Sequence, residues 1–170
     1  DGGASTPPLS YKTWLQAGDE TAWTTIVANV VRVAAALVEA RRARGANIHL
    51  DIEPEPDCTI ENTDETIAFF RDRLLPAGAP MLARALGIDE AAARAHLLDC
   101  IRVCFDCCHF AVEFEDPIAA LDRLTGAGIK IGRVQLSSAL RAPLQNEPER
   151  TRQTVDRLRP FADATYLHQV

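Results

Sequence analysis

The stretch Ile101–Pro117, IRVCFDCCHFAVEFEDP, constrains the fold more than any other part of the chain. It opens with a short apolar run, Val103, Cys104 and Phe105, which reads as a buried strand and stops at Asp106. His109 follows, then Glu113 and Glu115, and Asp116-Pro117 supplies a cap and a first-turn proline for a helix. A strand that hands over to a helix is the unit of parallel α/β proteins. Binding and catalytic side chains collect there at the carboxyl ends of strands. Asp106 and His109 therefore stand where a cation or a polar ligand would be held.

The same unit recurs along the chain. The polar start, GGASTPPLSYK, fits a strand and its loop, and the spacing of Ile26, Val30, Val33 and Leu37 predicts a helix over Thr21–Arg44 with Gly45 at its C′ position. Asn47–Glu53 reads as a strand: Ile48, Leu50 and Ile52 face one way, His49, Asp51 and Glu53 the other. His49, early in that strand, is expected to be a satisfied core histidine. Asn62 and Glu65 have capping-box spacing and open a helix to Leu74 or Leu75, which Pro76, Gly78 and Pro80 are expected to break. Short helices are predicted for Pro80–Leu86 and Glu90–Asp99, the second capped by Asp89. The strand Ile101–Asp106 and the helix Pro117–Thr125 follow. Lys130–Ser137 is a strand that sets Gln135 and Ser137 opposite Val134 and Leu136. Pro148–Leu158 is a helix, and Ala164–Val170 starts a last strand with Tyr166 and His168 on one face.

This alternation predicts an α/β fold of parallel strands with right-handed crossovers. No GxGxxG or GxxxxGK[ST] follows a strand, which removes the common phosphate-binding signatures. Glu53, Asp106, Gln135 and His168 each fall at a strand end, and four consecutive strands delivering polar groups to one rim is the arrangement of a (β/α) barrel. An open sheet converges only at its switch point. The expected fold is a partial TIM barrel occupying residues 1–170 as one domain. The chain starts at Asp1 and stops within a strand-like segment, so a fragment with open strand edges is expected, poorly stable by itself.

Charge and cysteines narrow the function. A formal net charge of −6 without a dense Lys/Arg cluster argues against nucleic acid as a partner. No run of ~18 uninterrupted apolar residues is present, so no membrane span is expected. Five cysteines, three of them crowded at Cys104, Cys107 and Cys108, fit reduced thiols in a cytoplasmic protein better than a disulfide framework. A structural zinc site normally needs a second ligand pair, and Cys58 and Cys100 are not paired in sequence. Cys107 and Cys108 are accordingly expected to be packed side chains. Glu113, Glu115 and Asp57 fit either function or acidic loading of helix starts.

The segments LDIEPEPDCTIENTDETIAFF, VCFDCCHFAVEFEDP and GIKIGRVQLSSAL, with YLHQV at the end, resemble the EboE family of metabolite traffic proteins. That family belongs to the xylose-isomerase-like TIM-barrel superfamily. The resemblance covers nearly the whole chain and implies the C-terminal half of a barrel, from about the fourth strand into the eighth. It implies a divalent metal (Zn, Mn, Mg or Co), with Glu53, Asp106, His109 and His168 as candidate ligands. His109, Gln135 and Ser137 become candidate substrate contacts, and Glu55, Glu113 or His168 the candidate base. The superfamily's seventh-strand His is Gln135 here, and its eighth-strand Glu falls at His168, which leaves the base unassigned. Glu53 and Asp106 also admit a plainer reading, as two solvated carboxylates at strand exits. Three functions follow as expectations. The first is metal-dependent isomerase or epimerase chemistry on a small polyhydroxylated or carbonyl metabolite. The second is a non-catalytic metabolite-binding and traffic role beside pathway partner proteins. The third is AP-endonuclease-like phosphodiester hydrolysis, which the acidic balance disfavours.

Overall fold

A computed structural model of the protein describes residues 2–15 and 18–162. Four parallel strands, β1 (Gly2–Thr6), β2 (Ile48–Ile52), β3 (Ile101–Asp106) and β4 (Ile131–Gln135), lie side by side in sequence order. Helix α1 (Glu20–Arg44) connects the first two strands. Helices α2 (Thr63–Ala68), α3 (Ala79–Leu86) and α4 (Glu90–Cys100) connect the next two, and α5 (Cys107–Val112) and α6 (Pro117–Gly126) precede β4. Helix α7 (Pro148–Leu158) follows and buries none of its side chains. The sheet is curled into a half-barrel. Across its concave face the Arg133 guanidinium donates to the Gly3 carbonyl (2.7 Å) and the Ser5 hydroxyl (3.3 Å), joining β4 to β1.

The period-two pattern of the strands decides which side chains meet which face. Register pairs Ser5 with Asp51, Asp51 with Arg102, Cys104 with Arg133 and Asp106 with Gln135, so these share the concave face. Ile52, Ile101, Val103 and Phe105 point the other way, into a core completed by Val27, Val30, Val31 and Ala34 of α1, with Leu74, Leu82 and Leu97. Each such buried side chain adds about 1.5–3 kcal/mol. Helix α1 is long and apolar enough to cross a membrane by length and composition. Here Val27, Val30, Val31, Ala34 and Val38 are buried in the core, while Thr24, Asn29, Arg32 and Glu39 face outward. One face of the helix is thus packed in the core, while Ala28, Val33 and Ala36 are exposed with the polar residues.

Local chemistry sets most element ends. The Asp19, Asp89 and Asp116 carboxylates accept from the N–H groups of Ala22, Ala92 and Ala119, and Gly45 closes α1 in the left-handed conformation (φ 67°). The Asn62–Glu65 pair forms half a capping box: Asn62 accepts from the Glu65 N–H, but the Glu65 carboxylate reaches back to the Glu61 N–H instead.

Two expectations are corrected. The helix from Thr63 does not break at Pro76 and Gly78; it widens into a π-helical run over Phe69–Gly78 and continues into α3. The wider turn tolerates the missing proline donor. Gly78 serves packing, since a Cβ there would stand 3.0 Å from the Val31 side chain on α1. The segment after Asp106, where the sequence pattern predicts no helix before Pro117, begins as helix α5. Its anchor is Phe110, buried and stacked on Phe105 of β3 with ring centroids 4.0 Å apart. The predicted strand Ala164–Val170, with His168, lies outside the described residues.

Candidate functional site

On its concave face β2 presents His49 and Asp51, with Glu53 following at its end, and the three have different surroundings. His49 Nδ1 and Asp51 Oδ1 are 2.6 Å apart and buried, so His49 is the paired core histidine expected of it. This pair plugs the half-barrel. Cβ atoms built on Gly3 and Gly132 would fall 2.3 Å from the His49 ring and 1.9 Å from Asp51 Oδ1, which explains glycine at both positions. Gly132 is also the extra residue of a bulge in β4, where Val103 pairs with Ile131 and Cys104 with Arg133.

Above the plug, at the carboxyl ends of the strands, polar groups converge. Asp106 caps α5: its Oδ1 accepts from the Cys108 N–H (2.9 Å) and from the Ser137 hydroxyl. The Cys108 N–H also donates to Ser137 Oγ at 2.9 Å. His109 Nδ1 lies 3.0 Å from the Pro54 carbonyl oxygen. A carbonyl only accepts, so Nδ1 carries a proton, and in the neutral ring the lone pair lies on Nε2. Glu53 Oε1 stands 3.7 Å from the same Nδ1. Gln135, level with Asp106, donates from Nε2 to Cys104 Sγ one level below at 3.2 Å.

Electrostatics separate these groups. Burial works to raise the Asp106 carboxyl, but hydrogen bonds from Ser137 and Cys108, helped by His109, outweigh it and hold Asp106 below the usual carboxylate value. Burial pushes the Cys104 thiol to about 11, Glu53 adding to the rise and the Gln135 hydrogen bond opposing it. Cys104 is therefore a neutral spacer between Glu53 and Gln135.

A cation site needs donor atoms close enough to share one ion. Among the described residues, the side-chain donors of Asp106, Cys108 and His109 all lie within 4.8 Å of one another. A tetrahedral ion with bonds of about 2.0–2.3 Å spaces its ligands about 3.6 Å apart, so small side-chain rotations close the set. Carboxylate, imidazole and thiol are all metal-binding groups, and the Pro54 carbonyl behind His109 is the kind of outer partner that orients a ligating histidine. The residues fit a divalent cation. Cys108, expected to be a packed side chain, is instead part of this set. Its sequence signal was only its place between Asp106 and His109.

The other candidates fall around this cluster. Glu53 adjoins it through His109, and Ser137 and Gln135 are held at the same rim by hydrogen bonds to Asp106 and Cys104. Glu55 belongs to the turn before α2, its N–H donating to the Ile60 carbonyl. Glu113 is drawn into a separate acidic group: burial raises its carboxyl, Glu61, Glu115 and Glu65 add to the rise, and Lys12 opposes it. Glu115 is occupied with the start of α2, accepting from the Thr63 N–H (3.1 Å) and hydroxyl (2.8 Å). Surface grooves of about 330 and 340 Å³, one lined by Trp23, Phe69 and Arg73 and one by Pro7, Ile26 and Leu50, do not include the cluster.

Fold and rim together define a half-barrel α/β protein with a polar, metal-compatible site at its strand ends. Compared with protein-family models, with curated proteins and with solved structures, the chain matches none.

Proposed function

We propose that the protein is a metal-dependent, xylose-isomerase-like barrel protein of the EboE type. It acts on a small polyhydroxylated or carbonyl-bearing metabolite by isomerase or epimerase chemistry, in the reducing environment of the cytoplasm. The observation that supports this reading is the meeting of Asp106, Cys108 and His109 at the strand ends, with Glu53 beside His109. A divalent cation held there supplies Lewis-acid polarisation of a substrate carbonyl or hydroxyl. Asp106 and His109 hold it, with Glu53 completing the set. Ser137 fixes the Asp106 carboxylate, and Gln135, a hydroxyl partner by its chemistry, orients the substrate.

A second reading, a barrel that binds a metabolite and hands it on to pathway proteins, is favoured by one observation. Among the described residues the carboxylates of the loop after α5 are not part of the Asp106–Cys108–His109 group: Glu115 accepts from Thr63, and Glu113 is influenced by Glu61, Glu65 and Glu115. Metal analysis of the purified full-length protein, beside Glu53→Ala and Asp106→Ala, tests the shared premise. The wild type is expected to retain one divalent ion per chain and Asp106→Ala to lose it; a metal-free wild type that takes up no added cation contradicts both readings. Proton exchange from bound sugars in deuterated water then separates them. Exchange supports the isomerase, and binding without exchange supports the traffic protein.

A further inference from the structure

We infer that Cys108 joins the rim site as a thiolate ligand and makes it select zinc-like ions over magnesium and manganese, an inference that rests on the metal reading above. Three neighbouring cysteines have three different surroundings. Cys104 is buried a level below, under the Gln135 amide, and Cys107 packs against the hydrophobic core. Cys108 alone puts its sulfur within 4.8 Å of donor atoms on both Asp106 and His109.

Its position is imposed from two strands. The Cys108 N–H donates at 2.9 Å both to Asp106 at the end of β3 and to Ser137 after β4, which fixes the main chain. The neighbouring Phe110–Phe105 stack pins the helix that carries it. On binding, the S–H bond breaks, the proton leaves to solvent, and the sulfur lone pair forms the bond to the ion. All-oxygen sites suit magnesium and manganese; adding thiolate and imidazole shifts preference to zinc and cobalt. A sulfur in the set thus predicts an ion different from the one that Glu53 and Asp106 alone would choose.

Cobalt(II) titration of the full chain under reducing conditions tests this, because a cobalt–thiolate bond adds a charge-transfer band in the near ultraviolet. The wild type is expected to show that band with the intensity of one thiolate, Cys107→Ser to keep it, and Cys108→Ser to lose it. Cys108→Ser should still bind cobalt, at least tenfold more weakly, with unchanged circular dichroism. Zinc should displace the cobalt, and magnesium at a thousandfold excess should not. Cobalt binding by the wild type without the band overturns the inference and leaves the metal reading standing, as does a band that survives in Cys108→Ser. Failure of the wild type to bind any divalent ion overturns both.

Discussion

Strand β3 carries an aspartate at each end, and the two are held in different ways. Asp99, two residues before the strand, gathers cations: Lys130 (2.6 Å), Arg41, and Arg102 (3.5 Å). The Lys130 hydrogen bond, aided by Arg41 against the opposing effect of burial, brings its carboxyl down to about 2. Asp106, closing the strand, is lowered too, yet mainly by neutral donors, the Ser137 hydroxyl and the Cys108 thiol and N–H. A carboxylate surrounded by cations has its charge compensated within the protein. One steadied mainly by dipoles, with His109 as its charged neighbour, is less fully compensated, which is what the proposed cation site requires. The lower end of the sheet is thus compensated by cations within the fold, and the proposed metal reading places binding at the upper end, with the His49–Asp51 plug between them.

Removing the plug's clearance is expected to have the largest effect. Gly132→Ala sets a Cβ against Asp51 Oδ1 inside a bulge that cannot easily move, and should cost about 3 kcal/mol, read from the shift in urea midpoint. A midpoint unchanged from wild type would contradict the plug.

Next comes the lower aspartate. A drop from 3.8 to about 2 corresponds to roughly 2 kcal/mol. Because the folded carboxyl titrates below the unfolded one, this contribution is present above about pH 4 and fades as the pH falls toward 2. Asp99→Asn should therefore lose about 2 kcal/mol at pH 7 and much less near pH 2, while retaining any bound metal. A loss independent of pH would contradict the ion-pair account.

The smallest stability change falls at the rim. Ser137→Ala should cost under about 1 kcal/mol yet move the Asp106 carboxyl up toward its ordinary value, visible in a carboxyl carbon NMR titration. An unshifted Asp106 would show that Ser137 does not hold it.

What the sequence showed and what it hid divide along the same line of local against distant causes. Strand β3, α6, α7 and the Asp89 and Asp116 caps were legible because an apolar run, a first-turn proline and an aspartate before a helix each act within a few residues. The face of β2 was legible too, since period two separates His49, Asp51 and Glu53 from Ile48, Leu50 and Ile52. The continuous helix through Pro76 was not, because its cause is tertiary: the close approach of α1 at Gly78 and the relief given by π-helical turns. Helix α5 and the part played by Cys108 were hidden as well. Six residues without an amphipathic period carry no helix signal, and only the stack on Phe105, the Asp106 cap and the reach of Ser137 from beyond β4 set them in place. Glu113 was one of three candidate bases, and its charged neighbours, Glu61, Glu65, Glu115 and Lys12, come mostly from segments distant in sequence that no local pattern could supply.

Anomalous diffraction from crystals of the full chain grown with zinc tests the rim most directly. The account predicts a single strong peak bounded by Asp106, Cys108 and His109, lost in Asp106→Ala and kept in Asp99→Asn. Zinc found only elsewhere, such as on Glu61 and Glu65 beside Lys12, with the rim empty, would contradict it.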